Sequence, residues 1–409
     1  MKILWLTNIP MPPVLESMSK KNIYTGGWMY ALADLLKDSV ELNIVCFSNI
    51  VNDEYNCNKN NVTHIVLKER KVFKIIKERT ALKKLIKKIE PDLIHMHGTE
   101  KYARLAIENI TNVPIVISLQ GILKYCVKWQ SFFGDYSPAK IFGSYFGIDF
   151  FLHKGIFWEY FNMKKNAIAE YETIKNNKYF IGRTEFDKSF IRFNNDKAKI
   201  FHADEVLRNE FYKVSWDINN CKKYRIFFSN AGHPRKGLEA VLESVQMLKN
   251  YYSSVELIIS GDISRNNMYH KYIRKLITKY SFDIKILGII GPEEVAYNLI
   301  KAHVFVSSSF IDNSPNSLCE AQLVGVPIVS SYIGGIPTLI EEEKTGLLFP
   351  PGSVEICALK IQKLFEDDEL AKKIGMDGRN KALKRHNIKE LSNCYLDIYR
   401  ELCFKNICV

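Results

Sequence analysis

Short apolar runs alternate with longer segments of helical period along almost the whole chain, and this alternation restricts the fold more than any other feature. Strand-like runs fall at residues 2–7, 40–47, 62–67, 92–97 and 113–119, and again at 224–229, 255–261, 284–287, 304–307 and 326–330. Helical patterns lie between them at 27–37, 72–89, 101–109, 236–249, 268–280, 292–300 and 317–324. Strands alternating with helices predict βαβ units, hence parallel sheets covered on both faces. So many strands are poorly served by one open sheet, and the expected architecture is α/β with two doubly wound domains. Periodicity lapses over 211–223 and restarts at Tyr224, which places the boundary between a first domain over 1–212 and a second over 213–386. Three helical patterns close the chain at 354–365, 370–384 and 388–403.

Composition bounds the function classes. The 409 residues are 47% hydrophobic and 25% charged, which excludes disordered, collagenous and disulfide-framework chains. Nine cysteines, odd in number and without a CxxC pair, read as free thiols of a reducing cytoplasm. Residues 1–7 run straight into a strand pattern with no signal core, and no run of about 18 uninterrupted apolar residues predicts a membrane span. The net charge of +12 is uneven: residues 1–200 hold 30 basic and 20 acidic side chains, residues 201–409 hold 27 and 25. The basic half is expected to face something anionic, and charge alone leaves nucleic acid, a membrane surface and a phosphorylated substrate open.

Two segments interrupt the alternation. Residues 68–88 hold ten Lys and Arg against two Glu, with Val72, Ile75, Ile76, Leu82, Leu85, Ile86 and Ile89 at helical spacing. Such a helix either lies against anionic lipid or packs its stripe on the sheet with its lysines in water. Residues 123–165 contain fourteen aromatic side chains, among them Trp129, Phe132, Phe133, Phe146, Phe150, Phe151, Phe157 and Trp158. This segment reads as an insertion shaping an apolar acceptor pocket or meeting a membrane interface, or else as packing under a long loop.

Several chemistries are excluded, because the chain has no GxGxxG, Walker A sequence, GxSxG or HExxH. His95 and His97 share one strand but lack the further nearby ligands of a metal site. The stretch 303–349 is more informative. A strand ends at 307–309, a polar loop follows, and Ser317 opens a helix carrying Glu320. The loop therefore stands at a carboxyl strand end and a helix amino terminus, where backbone N–H groups favour anionic or hydroxyl-rich ligands. Asp312 and Glu320, eight residues apart, can both accept hydrogen bonds from sugar hydroxyls. Upstream, Arg235, Lys236 and Gly237 lie between a strand and its helix, where cations make a phosphate site. Gly26 and Gly27 occupy the equivalent first turn of the first domain.

In this order, these residues resemble the retaining glycosyltransferases of the large family 4 group, whose GT-B fold sets two Rossmann-like domains facing a central cleft. The family pattern E-x7-E, continuing EAxAxGxPVVxxxxGG, is matched by Asp312 and Glu320, then by Ala321, Gly325, Val326, Pro327, Gly334 and Gly335. Lys236-Gly237, Gly26-Gly27 and the strand Pro91-Asp92-Leu93-Ile94-His95-Met96-His97 match further family positions. The resemblance implies that Asp312, Lys236 and Glu320 carry catalysis. Glu320 would hold ribose hydroxyls, Lys236 with Arg235 would neutralise a diphosphate, and Asp312 with Asn313, Ser314, Pro315, Asn316, Ser317 and Leu318 would cradle the donor sugar. Gly26 and Gly27 would border the donor, and His97 and Gln120 would fall on the acceptor side. Residues 387–409 would form a helix returning to the first domain.

Three positions depart from the family. Asp312 replaces the usual Glu, Asn230 falls near the usual phosphate-loop Arg (for which Arg235 or His233 would substitute), and Gln120 replaces an acceptor-side His. The resemblance implies transfer without metal or cofactor and with retention. The donor would be UDP-hexose or UDP-N-acetylhexosamine, and the acceptor a saccharide or lipid-linked saccharide in surface polysaccharide assembly. Residues 68–88, with 123–165, would hold the enzyme on the inner face of a membrane as a peripheral cytoplasmic protein. Nucleic acid is not expected, because the basic stretch lacks interleaved aromatics. The rival readings are a GT-B nucleotide-sugar epimerase or phosphorylase, and a non-enzymatic binder of anionic polymers.

Overall fold

The computed structural model describes residues 1–18, 26–70, 73–137, 139, 155–265 and 267–404. The chain divides into two compact units. The first joins Met1–Lys124, Lys164–Leu207 and His386–Val409, and the second joins Tyr125–Met163 and Arg208–Arg385. Val72, Pro138, Phe146, Phe150, Phe151 and Cys408, each part of a sequence expectation above, lie outside the described residues.

In the first unit, strands β1 (Lys2–Thr7), β2 (Glu41–Ser48), β3 (Tyr55–Lys59), β4 (Val62–Lys68), β5 (Leu93–His97), β6 (Ile115–Ser118), β7 (Tyr179–Gly182) and β8 (Lys199–His202) form one sheet. Its order is β3-β4-β2-β1-β5-β6-β7-β8, parallel except where β3 runs antiparallel to β4. β1 reads KILWLT with no alternation, because a strand inside a parallel sheet is covered on both faces. β3 reads YNCNK and is largely exposed at the sheet edge, so it carries no apolar run to announce it.

The carboxy-terminal helix Ile388–Phe404 belongs to this first unit. Its Tyr399 hydroxyl accepts from Trp5 Nε1 at 3.0 Å and lies 2.7 Å from His95 Nδ1. His95 Nε2 lies 2.7 Å from Ser118 Oγ, so each ring nitrogen has a hydroxyl partner. Burial pushes His95 down to about 3 and keeps it neutral, with one ring nitrogen donating and the other accepting. His95 is thereby a structural residue. Tyr399→Phe leaves two buried ring nitrogens short of a partner, at a cost of about 2–3 kcal/mol. The thermal midpoint should fall by several degrees, and an unchanged midpoint would refute the network's importance.

In the second unit, β9 (Arg225–Phe228), β10 (Glu256–Ser260), β11 (Asp283–Gly288), β12 (Val304–Ser307), β13 (Ile328–Ser331) and β14 (Leu347–Phe349) form an all-parallel sheet. Its order is β11-β10-β9-β12-β13-β14. The chain steps outward from β9 to β11, then returns to lay β12 against β9. The β9–β12 pair is therefore the point where the strand order reverses, and ligands of doubly wound sheets sit at the carboxyl ends of such a pair.

Several local outcomes differ from the sequence reading, which contains neither the strands β7, β8 and β14 nor the helix Pro12–Ser17. Residues 101–109 form two 3-10 turns, Ala103–Leu105 and Ile107–Asn109, because Ala106 between them takes a left-handed φ of 45°. The helices Ile156–Asn176 and Glu185–Asn194 were not anticipated. Tyr125–Met163 groups with the second unit instead of the first, because its aromatics find their partners there. Phe132 meets the His233 ring edge-on at 5.0 Å, and Tyr136 packs on Tyr269 and Tyr272. With these bounds the first unit has 30 basic against 22 acidic side chains, and the second 27 against 23, so the charge asymmetry is milder than the halves of the sequence suggested.

Candidate active site

The switch point of the second unit gathers the charged residues. The loop leaving β9 ends in the short 3-10 turn Pro234–Lys236, capped by His233, whose Nδ1 accepts from Arg235 N at 3.1 Å. Gly237 follows with φ 67°, and a Cβ there would run into the carbonyl oxygen of Ser308 just beyond β12. Only glycine lets the two loops close on each other. Lys236 Nζ then donates to Asp312 Oδ2 at 2.7 Å. Burial alone would push Asp312 up, but the Lys236 ammonium, its hydrogen bond and the charge of Arg235 hold the carboxyl below its ordinary range.

The Asp312 loop is fixed from its other side. Gly335 N donates to the Asp312 carbonyl at 3.1 Å, and Gly334, with φ 53°, sits so close to that oxygen that any side chain would collide with it. The helix Asn316–Val324 begins directly after the loop, one residue earlier than the sequence indicated, and places Glu320 on its second turn. Arg208 donates to Glu320 Oε1 through Nε at 2.9 Å and Nη2 at 2.8 Å. Both contacts fall on one oxygen, which leaves Oε2 to accept from a ligand. Burial pushes Glu320 up to about 7, against the opposing pull of Arg208.

Arg235, whose charge acts on Asp312, has a buried Nε without a hydrogen-bond partner among the described residues. The site thus offers a cationic pair, a carboxylate beside it and a second carboxylate one helical turn further on. Such a set can hold a diphosphate and several hydroxyls together.

Residues 211–381 match the model described as glycosyl transferases group 1, and residues 14–132 match the model described as glycosyl transferase 4-like. The chain carries a group 1 glycosyltransferase domain over these residues of its second half. It is 25% identical over 308 residues to the sulfoquinovosyl transferase SQD2 of Arabidopsis thaliana, covering 73% of this chain and 54% of that protein. It is 23% identical over 170 residues to the capsular polysaccharide biosynthesis glycosyltransferase CapM of Staphylococcus aureus, covering 41% and 44%. The matched stretches therefore span about half the length of these relatives. HepE of Anabaena, solved with UDP-glucose, superposes with a TM-score of 0.70 at 16% identity, over 98% of this chain and all of that one. The fold is GT-B.

Among the residues expected from sequence, Lys236, Arg235, Asp312 and Glu320 all fall in the second unit. Asn313 is buried, while Ser314, Asn316 and Ser317 are half-buried around Pro315. Leu318 is a correction. Its side chain is fully buried and its amide donates to the Pro315 carbonyl at 3.0 Å, so it packs the loop from behind. Asn230 takes a left-handed φ of 64° in the loop after β9.

Gly26, Gly27, His97 and Gln120 belong to the first unit. Gly26 caps the helix Gly27–Leu36, and Gln120 lies beyond β6 beside Gly98. His97 is wholly buried, its ring 4.3 Å from that of Trp5. Sequence reasoning missed Arg208, which stands 112 positions from Glu320 and has no local pattern to mark it.

Proposed function

We propose that this glycosyltransferase moves a hexose or N-acetylhexosamine from a UDP-linked donor to a saccharide or lipid-linked saccharide acceptor. Transfer proceeds with retention and without a metal ion, at an anionic membrane surface during surface-polysaccharide assembly. The observation that carries this reading is the Lys236–Asp312 pair at the switch point, flanked by Arg235 and followed by Glu320 with one open oxygen.

Glu320 Oε2 accepts the ribose hydroxyls, and Lys236 and Arg235 meet the diphosphate. Lys236 has three donors, so it keeps Asp312 while reaching phosphate oxygens. The acceptor hydroxyl attacks the anomeric carbon from the face that the diphosphate leaves. The bond from that carbon to the phosphate oxygen breaks, and its electron pair stays on that oxygen. The departing oxygen takes the acceptor proton. Fixed cations stabilise this developing charge, and removing one such group elsewhere costs about 100- to 1,000-fold in turnover. Asp312, aligned by Gly334 and Gly335, orients the sugar by its hydroxyls. Support for a UDP donor comes from HepE, which shares the fold and was solved with UDP-glucose. The polysaccharide role is in keeping with the name of CapM.

The reading is tested by incubating the enzyme with UDP-sugars and candidate acceptors in EDTA, and assigning the product anomer by NMR. A glycoside of unchanged anomeric configuration is expected. Turnover only after a divalent metal is restored would contradict metal independence. Donor consumption that needs no acceptor and yields no glycoside would favour an epimerase.

A further inference from the structure

A cavity of about 480 Å³ opens in the first unit beside the basic helix Lys74–Ile89. It lies at the carboxyl ends of β2 and β4, where Phe47 and Leu67 contribute apolar surface. Lys68, Arg70, Lys77 and Lys84 also line it, and none of the four forms an ion pair among the described residues. Two carboxylates, Glu54 and Glu78, share the lining. Glu78 is buried and accepts from the Arg70 amide at 3.2 Å, and Glu54 accepts from Asn56 Nδ2 at 2.9 Å.

Four cations against two carboxylates leave the lining net positive, with Lys77 Nζ 5.9 Å from the centre of the Phe73 ring, and such a lining favours an anion. Phosphoryl oxygens suit them best, since Arg binds a phosphate bidentately and Lys serves it as a point charge. The surroundings indicate where that phosphate comes from. Phe73, which precedes this helix, and Ile76 on it are 68% and 66% exposed, which a site for a soluble anion does not require. Lys83, Lys87 and Lys88 extend the exposed cationic face further along the helix.

We propose that this cavity is a phosphoryl site that takes the headgroup phosphate of an anionic membrane phospholipid, with Phe73 and Ile76 entering the interface beside it. The proposal rests on the membrane-surface reading above and adds to it a discrete site. A helix bound only by diffuse attraction would value each of its lysines alike. A built site would not.

The test is flotation of the full-length enzyme with vesicles of phosphatidylglycerol in phosphatidylcholine. It compares wild type with R70Q/K77Q, which strips the cavity, and with K87Q/K88Q, which removes the same charge from the far end of the helix. The wild type should float, and R70Q/K77Q should partition about tenfold more weakly than K87Q/K88Q, the effect of one strong charge-assisted contact. Transfer to a soluble acceptor should be unchanged in both variants, which checks that they fold. Equal losses in the two variants would overturn the site and leave the membrane reading standing. Failure of the wild type to float would overturn both. Stabilisation by soluble glycerol 1-phosphate that R70Q/K77Q abolishes, with flotation intact, would assign the cavity to a soluble phosphate and overturn the lipid.

Discussion

Replacing Lys236 by alanine is expected to lower kcat by about 100- to 1,000-fold, the loss seen when a preorganised group facing developing charge is removed. Lys236 is held for this task. The left-handed turn at Gly237 presses its loop against Ser308, and Asp312 receives its ammonium at 2.7 Å. Lys236→Ala also leaves Asp312 without its main counter-charge, so the carboxyl pKa should climb toward or past its ordinary range. Lys236→Arg should recover part of the rate by keeping the charge with a different shape. Steady-state kinetics with a saturating donor would decide, and a kcat within threefold of wild type would remove Lys236 from the reaction.

A second large effect concerns pH. Burial lifts Glu320 to about 7 in the folded protein, from 4.5, so the free site carries a neutral carboxyl at lower pH and a carboxylate above it. Only the carboxylate is a pure acceptor for ribose hydroxyls, so donor affinity should fall as pH drops through about 7. Arg208 opposes the burial with two hydrogen bonds to Oε1, and Arg208→Gln should move this limb to higher pH. Donor affinity for that variant should be poor at neutral pH and recover under alkaline conditions. Glu320→Gln should flatten the profile in this range, because nothing remains to titrate at that position. A wild-type affinity constant from pH 6 to 8 would exclude the carboxylate from donor binding.

Much of this was legible in the sequence. The two sheets follow from apolar runs such as KILWLT and VFVS, which stay buried on both faces and so need no alternation. The charged residues of the candidate site were legible because they follow strand ends within short stretches of chain: Lys236 after β9, then Asp312 and Glu320 after β12. What escaped depends on long-range or weak signals. The edge strand β3 is polar, as an exposed edge can be. The helix Glu185–Asn194 was announced by a capping box between Thr184 and Asp187, a signal present but passed over. Residues 125–137 could not be assigned to the second unit from periodicity, since only their contacts with His233, Tyr269 and Tyr272 place them there. Arg208 reaches Glu320 across 112 positions for the same reason.

The most direct measurement is a calorimetric titration of UDP into the wild-type enzyme and into Glu320→Ala, both in EDTA at pH 8. The account predicts binding to the wild type without metal, and a loss of about ten- to a hundredfold in Glu320→Ala, equivalent to the ~1.5–3 kcal/mol of a hydrogen bond to a charged group. Equal affinities in the two proteins, or binding that appears only with a divalent cation, would contradict the donor site placed at the switch point of the second unit.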